Sequence, residues 1–182
     1  MKKFELTDEF VTNVFGHKLF RIKALVAFGD VEKGELGGFI EKEDNLSHDD
    51  NAWVFGDARV FDNARVFGDA QVFGDARVFG DARVSGNARV SGNARVFGNA
   101  DYAVVAGFGR YFRTTTFFRC KDKILRVQCG CFYGDLAQFR EIVKKTHGDS
   151  KYAKEYLAIA DLMELHFSDK CGGEQMNDGK IY

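Results

Sequence analysis

The hydrophobic and polar residues in the middle of the chain recur with a strict period of six. Residues 52–99 read as eight consecutive hexads, AWVFGD, ARVFDN, ARVFGD, AQVFGD, ARVFGD, ARVSGN, ARVSGN and ARVFGN. Each hexad has Ala first, Val third and Asp or Asn last, and Gly is fifth in all but the second, where Asp62 replaces it. Because a period of six does not fit a helix, the pattern predicts a parallel β-solenoid.

Three hexads predict one coil of a triangular prism, with a short strand through Ala-x-Val and a corner at Gly-Asp or Gly-Asn. Val is expected to point into the prism, and the small Ala to pack inward beside a corner. Gly, Asn and Asp tolerate the positive φ that a sharp corner requires. At the spacing of β-strands, eight hexads give a stack roughly 13 Å tall.

The sequence upstream of the repeats predicts a cap for one end of this stack. The segments GELGGF, IEKEDN and LSHDDN continue the hexad phase and predict about one further coil. Before them, HKLFRIKALVAF alternates between apolar and polar residues, which predicts a strand or hairpin. The expected organisation is an N-terminal β cap at 1–33 and a solenoid at 34–101, with strict repeats at 52–99.

The sequence after the repeats predicts an α+β domain. RTTTFFRC and ILRVQCGC predict a β-hairpin, and LAQFREIVKKTHG predicts a helix that Asp135 caps and Gly148 ends. A second helix is predicted over KYAKEYLAIADLMELHF, with an apolar stripe of Tyr152, Tyr156, Ile159, Leu162, Met163 and Phe167. This domain is expected at 102–168, followed by a polar, frayed tail at 169–182.

Three segments of the chain resemble a known family. GELGGFIEKEDNLSHDDNAWVFGDA, GRYFRTTTFF and CGCFYGDLAQFREIVKKTHG are similar to hexapeptide-repeat proteins of the YdcK-like and polymer-forming type, which occur in bacteria, prophages and phages. The resemblance implies a mainly β fold, with a short left-handed parallel β-helix between an N-terminal β cap and a C-terminal α+β domain. It also implies a phage or prophage origin, but it supplies little chemistry.

Composition and charge narrow the expected setting. The formal net charge is −1 with 29% charged residues, which predicts neither a membrane partner nor direct nucleic-acid binding. The start lacks the apolar segment of a signal peptide, so a cytoplasmic protein with reduced cysteines is expected, in the host cytoplasm if a phage encodes it. The charge is uneven, because residues 102–167 carry eleven Lys and Arg against seven Asp and Glu.

Outward side chains at equivalent places, eighteen residues apart, predict ladders along each face. One face is expected to carry a row of phenylalanines beside a row of arginines: Phe61, Phe79 and Phe97 with Arg59, Arg77 and Arg95. Exposed apolar patches of this kind mark interfaces, so the row predicts a homo-oligomer, preferably a trimer. The alternatives are a self-satisfied surface of stacked Phe and corner-bound Arg, or a row covered by the C-terminal helices.

GFGRYFRTTT is the preferred ligand-binding segment. It combines two guanidinium groups, three hydroxyls and an aromatic ring, which suit a phosphate or a nucleotide: Arg110, Arg113, Thr114, Thr115, Thr116 and Phe117. Alternate positions of a strand share one face, so Arg113, Thr115 and Phe117 are expected to act together. The alternative is a glycine-containing connection into an edge strand whose threonines only favour β structure.

The sequence predicts no catalytic residue, metal site or cofactor. Cys129 and Cys131 lack the spacing of a zinc site and are interpreted, with Cys120, as structural thiols. Coenzyme-A acyltransferases share the hexapeptide helix, but these hexads contain neither an inserted loop nor a histidine, so that activity is the less favoured alternative. The preferred function is non-catalytic sequestration of a nucleotide-type signal of host defence. The other alternative is a structural or protein-interaction module.

Overall fold

The computed structural model describes residues 2–168. The N-terminal strands are β1 (Phe4–Thr12), β2 (Lys18–Ala24) and β3 (Leu36–Ile40). Eight two-residue strands follow: β4 (Trp53–Val54), β5 (Arg59–Val60), β6 (Arg65–Val66), β7 (Gln71–Val72), β8 (Arg77–Val78), β9 (Arg83–Val84), β10 (Arg89–Val90) and β11 (Arg95–Val96). The C-terminal elements are β12 (Tyr102–Phe108), β13 (Arg113–Arg119), β14 (Leu125–Cys129), β15 (Phe132–Asp135), α1 (Leu136–His147) and α2 (Lys151–Ser168).

The hexads form the predicted three-sided solenoid. Strands pair in parallel with the strand three hexads later, as Trp53 with Gln71, Arg59 with Arg77 and Arg65 with Arg83. We name the faces after their strands: β4, β7 and β10 form the first face, β5, β8 and β11 the second, and β6 and β9 the third. Every repeat Ala and Val has no exposed surface, which confirms both inward positions.

The coil upstream of the strict repeats is shifted by two residues from the predicted phase. Ile40 pairs with Val60, and Leu46 bridges Val66, so the pairing offset here is 20 residues rather than 18. The physical cause is a longer corner, because Leu46 and Val54 are eight residues apart where successive repeat valines are six apart. The prediction of an additional coil is confirmed, but the prediction that it continues the phase is wrong.

An antiparallel hairpin closes the N-terminal end of the second face. Strands β1 and β2 pair with each other, and β2 pairs with β3, so the sheet order is β1-β2-β3-β5-β8-β11. Gly38 allows β3 to lie this close to the solenoid, since a Cβ there would lie 2.6 Å from the carbonyl oxygen of Ala58. Phe4 and Phe28 pack edge-on against the buried Trp53 ring and cover the start of the first face.

The long corner is held by the buried Lys3. Its ammonium donates to the carbonyl oxygens of Asp49, Asp50 and Ala52 at 3.3, 3.3 and 2.9 Å. Burial lowers the pKa of Lys3 to about 8. The lysine therefore supplies the donors that the extra corner residues need.

A four-stranded antiparallel sheet, β12-β13-β14-β15, covers the other end of the solenoid. The predicted hairpin of β13 and β14 is confirmed, whereas β12 and β15 flank it without having been predicted. Phe118 and Cys120 join the solenoid core, and Ser91 donates to the Oε1 atom of Gln128 at 3.1 Å. The sheet therefore covers the end of the solenoid core, where a further coil would otherwise follow the last repeat.

Both predicted helices are present and pack on the opposite side of this sheet. Asp135 accepts from the amide of Gln138 at 2.8 Å as the predicted N-cap, and Gly148 ends α1 with φ of 54°. Two predicted stripe residues, Tyr152 and Leu162, are exposed, because Ala153 and Ala160 provide the close contacts of α2 instead. Neither helix of residues 2–168 has the length and hydropathy needed to cross a membrane.

We predict that Val66→Asp prevents folding, because the side chain of Val66 is fully buried inside the prism and an unpaired carboxylate there costs at least about 4 kcal/mol. Arg65→Asp is the matched control, since Arg65 is exposed on the outer side of the same strand. Circular dichroism melting of the two variants provides the measurement. A wild-type melting curve for Val66→Asp would contradict the inward assignment.

We predict that Lys3 makes stability increase with pH between about 8 and 10.5. The folded-state pKa of Lys3 is about 8 against an ordinary value of 10.5, so the unfolded chain binds more protons in this window. Stability rises with pH wherever the unfolded state binds more protons. Urea unfolding at pH 7.5 and 9.5 should show a gain for the wild type relative to Lys3→Met; parallel behaviour of both proteins would contradict it.

Candidate functional site

The two faces of β13 separate the predicted anion-binding residues. Phe117 is fully buried in the core formed with the helices and packs edge-on against Phe139, whereas Phe118 lies in the solenoid core. Thr115 and Phe117 share the face of β13 that packs toward the helices. Its inner part is closed to ligands, because Thr115 and Phe117 are 1% and 0% exposed.

The threonine hydroxyls of this strand have internal partners. Thr115 donates to the sulfur of Cys129 at 3.2 Å, and Thr116, also buried, accepts from the backbone amide of Arg89 at 3.0 Å. The expectation that three hydroxyls face a ligand is wrong for these two, since they fasten the sheet to its neighbours. Thr114, at the start of the strand, remains partly exposed.

A groove of about 470 Å³ runs along the first face of the solenoid. Its floor is formed by Gln71 and Arg89, one wall by residues 29–31, and the opposite wall by Arg113, Thr114 and Gly130. Corner residues of three successive coils complete it: Asn51, Asp69 and Asn87. The groove lies where the N-terminal segment and the C-terminal sheet each cover one end of the face and leave the middle open.

Two arginines from distant parts of the chain line this groove. Within residues 2–168, neither Arg89 nor Arg113 forms an ion pair with a carboxylate. The guanidinium of Arg89 lies 5.3 Å from the Phe73 ring centroid, and that of Arg113 lies 5.1 Å from the Tyr111 ring centroid. Gly130 makes room for Arg113, because a Cβ at that glycine would lie 2.6 Å from Nη1.

Two acidic residues, Asp69 and Asp30, line the groove. Asp69 accepts from the side-chain amide of Asn51 at 2.8 Å, which links two coils. Asp30 lies on the wall opposite Arg113 and has no ion pair among residues 2–168. The groove therefore combines separate cationic and anionic sides with amide groups between them.

Arg110 lies outside this groove. It borders a smaller cavity of about 280 Å³ on the helix side of the sheet, which Arg113 also reaches. Tyr111 stands beside both arginines, 5.5 Å from the guanidinium of Arg110. The other lining residues are mostly apolar, and burial, with Cys129 nearby, raises the pKa of Tyr156 to about 12. The structure thus places the two predicted arginines at different cavities, with Arg113 common to both.

A third cavity, of about 560 Å³, lies on the third face. It includes Arg65 and Arg83, but also three carboxylates, Glu43, Asp44 and Asp49. Glu43 has a lowered pKa, first because it accepts a hydrogen bond from Lys2. The acidic groups offset the arginines, so this cavity suits an anion less well than the groove does.

The phenylalanine row exists, but its exposure changes along the second face. The Phe61 and Phe79 rings stack at 5.1 Å, and Phe97 meets Phe79 edge-on at 5.3 Å. Phe61 is only 3% exposed because Leu19 and Phe39 pack on it, whereas Phe97 is 61% exposed. The expectation of three exposed rings is wrong for Phe61, which the N-terminal hairpin covers.

The neighbouring arginine row is partly anchored at the corners. Arg95 donates to the carbonyl oxygens of Asp75, Asn93 and Ala94 at 3.1, 3.3 and 2.8 Å. Burial and the neighbouring Arg77 lower the pKa of Arg95. Arg59 and Arg77 precede it in the same ladder, in register with one another. Arg95 therefore has the corner-bonding role that is the alternative for this row.

The repeats match a known family. The YdcK beta solenoid repeat model matches residues 58–72, 70–86, 82–96 and 88–100. Residues 58–100 are therefore similar to the YdcK type of β-solenoid repeat. The match covers the solenoid only, so the groove, which also needs the N-terminal loop and the C-terminal sheet, extends beyond the YdcK-type repeats. No curated protein matches the chain.

Sequence reasoning identified Arg113 and Thr114 but missed the other groove residues. The signal for the floor was present, since Trp53, Gln71 and Arg89 occupy equivalent places eighteen residues apart in the solenoid. The corner ladder of Asn51, Asp69 and Asn87 has the same spacing. Nothing in the periodicity could bring β13 to this face, because that placement depends on how the C-terminal sheet caps the last coil.

Proposed function

We propose that this protein is a non-catalytic binding protein of phage or prophage origin that sequesters a small anionic nucleotide in the groove of the first face. The ligand would be a nucleotide signal of host defence, held in the cytoplasm of the host cell. One observation supports this above others: Arg89 and Arg113, neither paired with a carboxylate within residues 2–168, line one groove from opposite sides of a domain junction.

The groove offers complementary chemistry for the parts of a nucleotide. Guanidinium forks bind phosphate oxygens through charge-assisted hydrogen bonds, and the Thr114 hydroxyl adds a donor beside Arg113. The amides of Gln71 and Asn87 and the carboxylate of Asp30 suit the donor and acceptor groups of a base or a ribose. The volume of about 470 Å³ falls in the range of small-molecule sites.

Binding without catalysis fits the residues available. Among the described residues that line the groove there is neither a histidine nor a cysteine. A general base or nucleophile at neutral pH is most often one of these side chains or a hydroxyl activated by one. Sequestration requires only affinity, so the groove needs no such group.

We predict that Arg89→Ala and Arg113→Ala each weaken nucleotide binding about ten- to hundredfold, because each removes a charge-assisted contact worth about 1.5–3 kcal/mol. Arg110→Ala is the matched control, since Arg110 lines only the helix-side cavity. Calorimetric titration with a panel of linear and cyclic nucleotides gives the affinities. Mass spectrometry of molecules released from protein purified from cells that make nucleotide signals identifies the ligand.

Three results would count against this function. Loss of binding in Arg110→Ala alone would move the site to the helix-side cavity. Undiminished binding in both groove variants would remove the site from the groove. A protein that retains no nucleotide and responds to none would favour assembly instead.

Assembly is the second candidate function, because Phe97 is 61% exposed at the open end of a stacked aromatic row. A closed homotrimer would cover the partly buried Phe79 and the exposed Phe97 of each subunit. The two functions are compatible, since the row lies on the second face and the groove on the first.

We predict that the protein is a trimer. Its association should be weakened by Phe97→Glu and by Phe79→Glu, because each places a charge in the proposed apolar interface. Phe67→Glu is the matched control: Phe67 is 38% exposed but follows a strand of the third face. Light scattering over a range of concentrations gives the mass. A wild-type monomer, or a trimer that only Phe67→Glu dissociates, would contradict this interface.

A further inference from the structure

One corner of the second face differs from every other corner of the strict repeats. Asp62 occupies the place that Gly holds in the other seven hexads, and it adopts φ of 59°, in the left-handed region that favours glycine. The substitution adds a carboxylate at a corner that lies beside the N-terminal hairpin. Repetition alone does not account for it, since Gly would satisfy the same backbone.

Three potential metal ligands from different elements meet at this corner. His17 immediately precedes β2, Glu41 immediately follows β3, and Asp62 follows β5. One ligand atom of each lies within 4.8 Å of the others. The Nδ1 atom of His17 is 3.3 Å from Oε1 of Glu41 and 3.7 Å from Oδ1 of Asp62.

Both carboxylates are held by backbone amides through their other oxygen. Oε2 of Glu41 accepts from the amide of Asp62 at 2.7 Å, and Oδ2 of Asp62 accepts from the amide of Gly80 at 3.2 Å. This leaves Oε1 and Oδ1 as the atoms that approach the imidazole. Such outer hydrogen bonds orient the carboxylates of metal sites.

The imidazole is positioned by the turn of the hairpin. The side-chain oxygen of Asn13 accepts from the amides of Phe15 and His17, both at 2.9 Å, and Asn13 donates its own amide to the carbonyl oxygen of His17 at 3.0 Å. These bonds fix the backbone at His17 before any metal binds. The site is therefore organised by contacts with residues that would not be ligands.

We propose that His17, Glu41 and Asp62 bind Zn²⁺, with a fourth position open to water. Ligand atoms 2.0–2.2 Å from a tetrahedral zinc lie about 3.4 Å from one another, and the two separations from the imidazole nitrogen, 3.3 and 3.7 Å, bracket this value. A simple N–H···O hydrogen bond would be shorter, near 2.9 Å. The side chain of His17 is 43% exposed, so solvent reaches the open position.

The metal would fasten the N-terminal hairpin to the solenoid. Leu19 and Phe61, which flank the ligands in sequence, pack together beside the site. Zinc bound here would therefore hold the hairpin over the start of the phenylalanine row. Because the three ligands converge only in the folded protein, zinc would stabilise it by mass action.

The test is zinc binding to the full-length, chelator-stripped protein, followed by calorimetry and thermal melting. We expect zinc at a hundredfold excess over its dissociation constant to raise the wild-type melting temperature by about 5–10 °C. His17→Ala and Asp62→Gly should each lose at least tenfold in zinc affinity. Asp62→Gly is also expected to fold normally, because it introduces the glycine that the other seven hexads carry at this place.

Cobalt and a thiol variant separate this site from adventitious binding to cysteines. Cys131 is exposed and close to Cys129, so Cys131→Ser is the matched control and should keep the full zinc response. The cobalt-loaded protein should show no thiolate-to-metal charge-transfer absorption. The proposal is overturned if zinc leaves the wild-type melting temperature unchanged, or if Cys131→Ser abolishes the response while His17→Ala and Asp62→Gly retain it.

Discussion

The pairing of each residue with its equivalent eighteen positions later is the constraint on which the rest of the structure depends. Each strand of the solenoid has only two residues, so no coil can form a sheet by itself. Hydrogen bonds pass from coil to coil, as from Phe55 to Val72 and from Phe61 to Val78. The inward Val and Ala are buried only because the next coil repeats them in register, so the core and the pairing stabilise each other.

This mutual dependence makes the two ends the weakest points of the stack, and the chain covers them in different ways. The N-terminal end extends the sheet of the second face through an antiparallel hairpin, which protects Phe61 from solvent. The C-terminal end inserts Phe118 and Cys120 into the core from a separate sheet. Both caps also extend over the first face, and the opening between them is the groove.

The features that could be predicted from the sequence are those fixed by short-range chemistry. The six-residue period predicted that Val and Ala point inward. Local sequence signals predicted the β13–β14 hairpin, the Asp135 cap and both helices. The predicted phase of the upstream coil was wrong because nothing in LSHDDN distinguishes a six-residue spacing between inward residues from an eight-residue one. The anion site was only half correct, since Arg113 and Thr114 line the groove while Thr115, Thr116 and Phe117 are buried between layers. Side-chain direction along β13 depends on two cores that are distant in sequence.

Departures from the repeat are more informative about function than the repeat itself. Positions that obey the pattern are explained by packing, so Val66 or Ala70 needs no role beyond the core. Trp53 replaces the Arg that most hexads carry at this place and receives the N-terminal cap, and Asp62 replaces Gly at a corner and meets His17. In each case the exceptional residue contacts a segment outside the strict repeats. A solenoid that only stacked would not need these contacts, so the exceptions mark the places where its flanking segments depend on it.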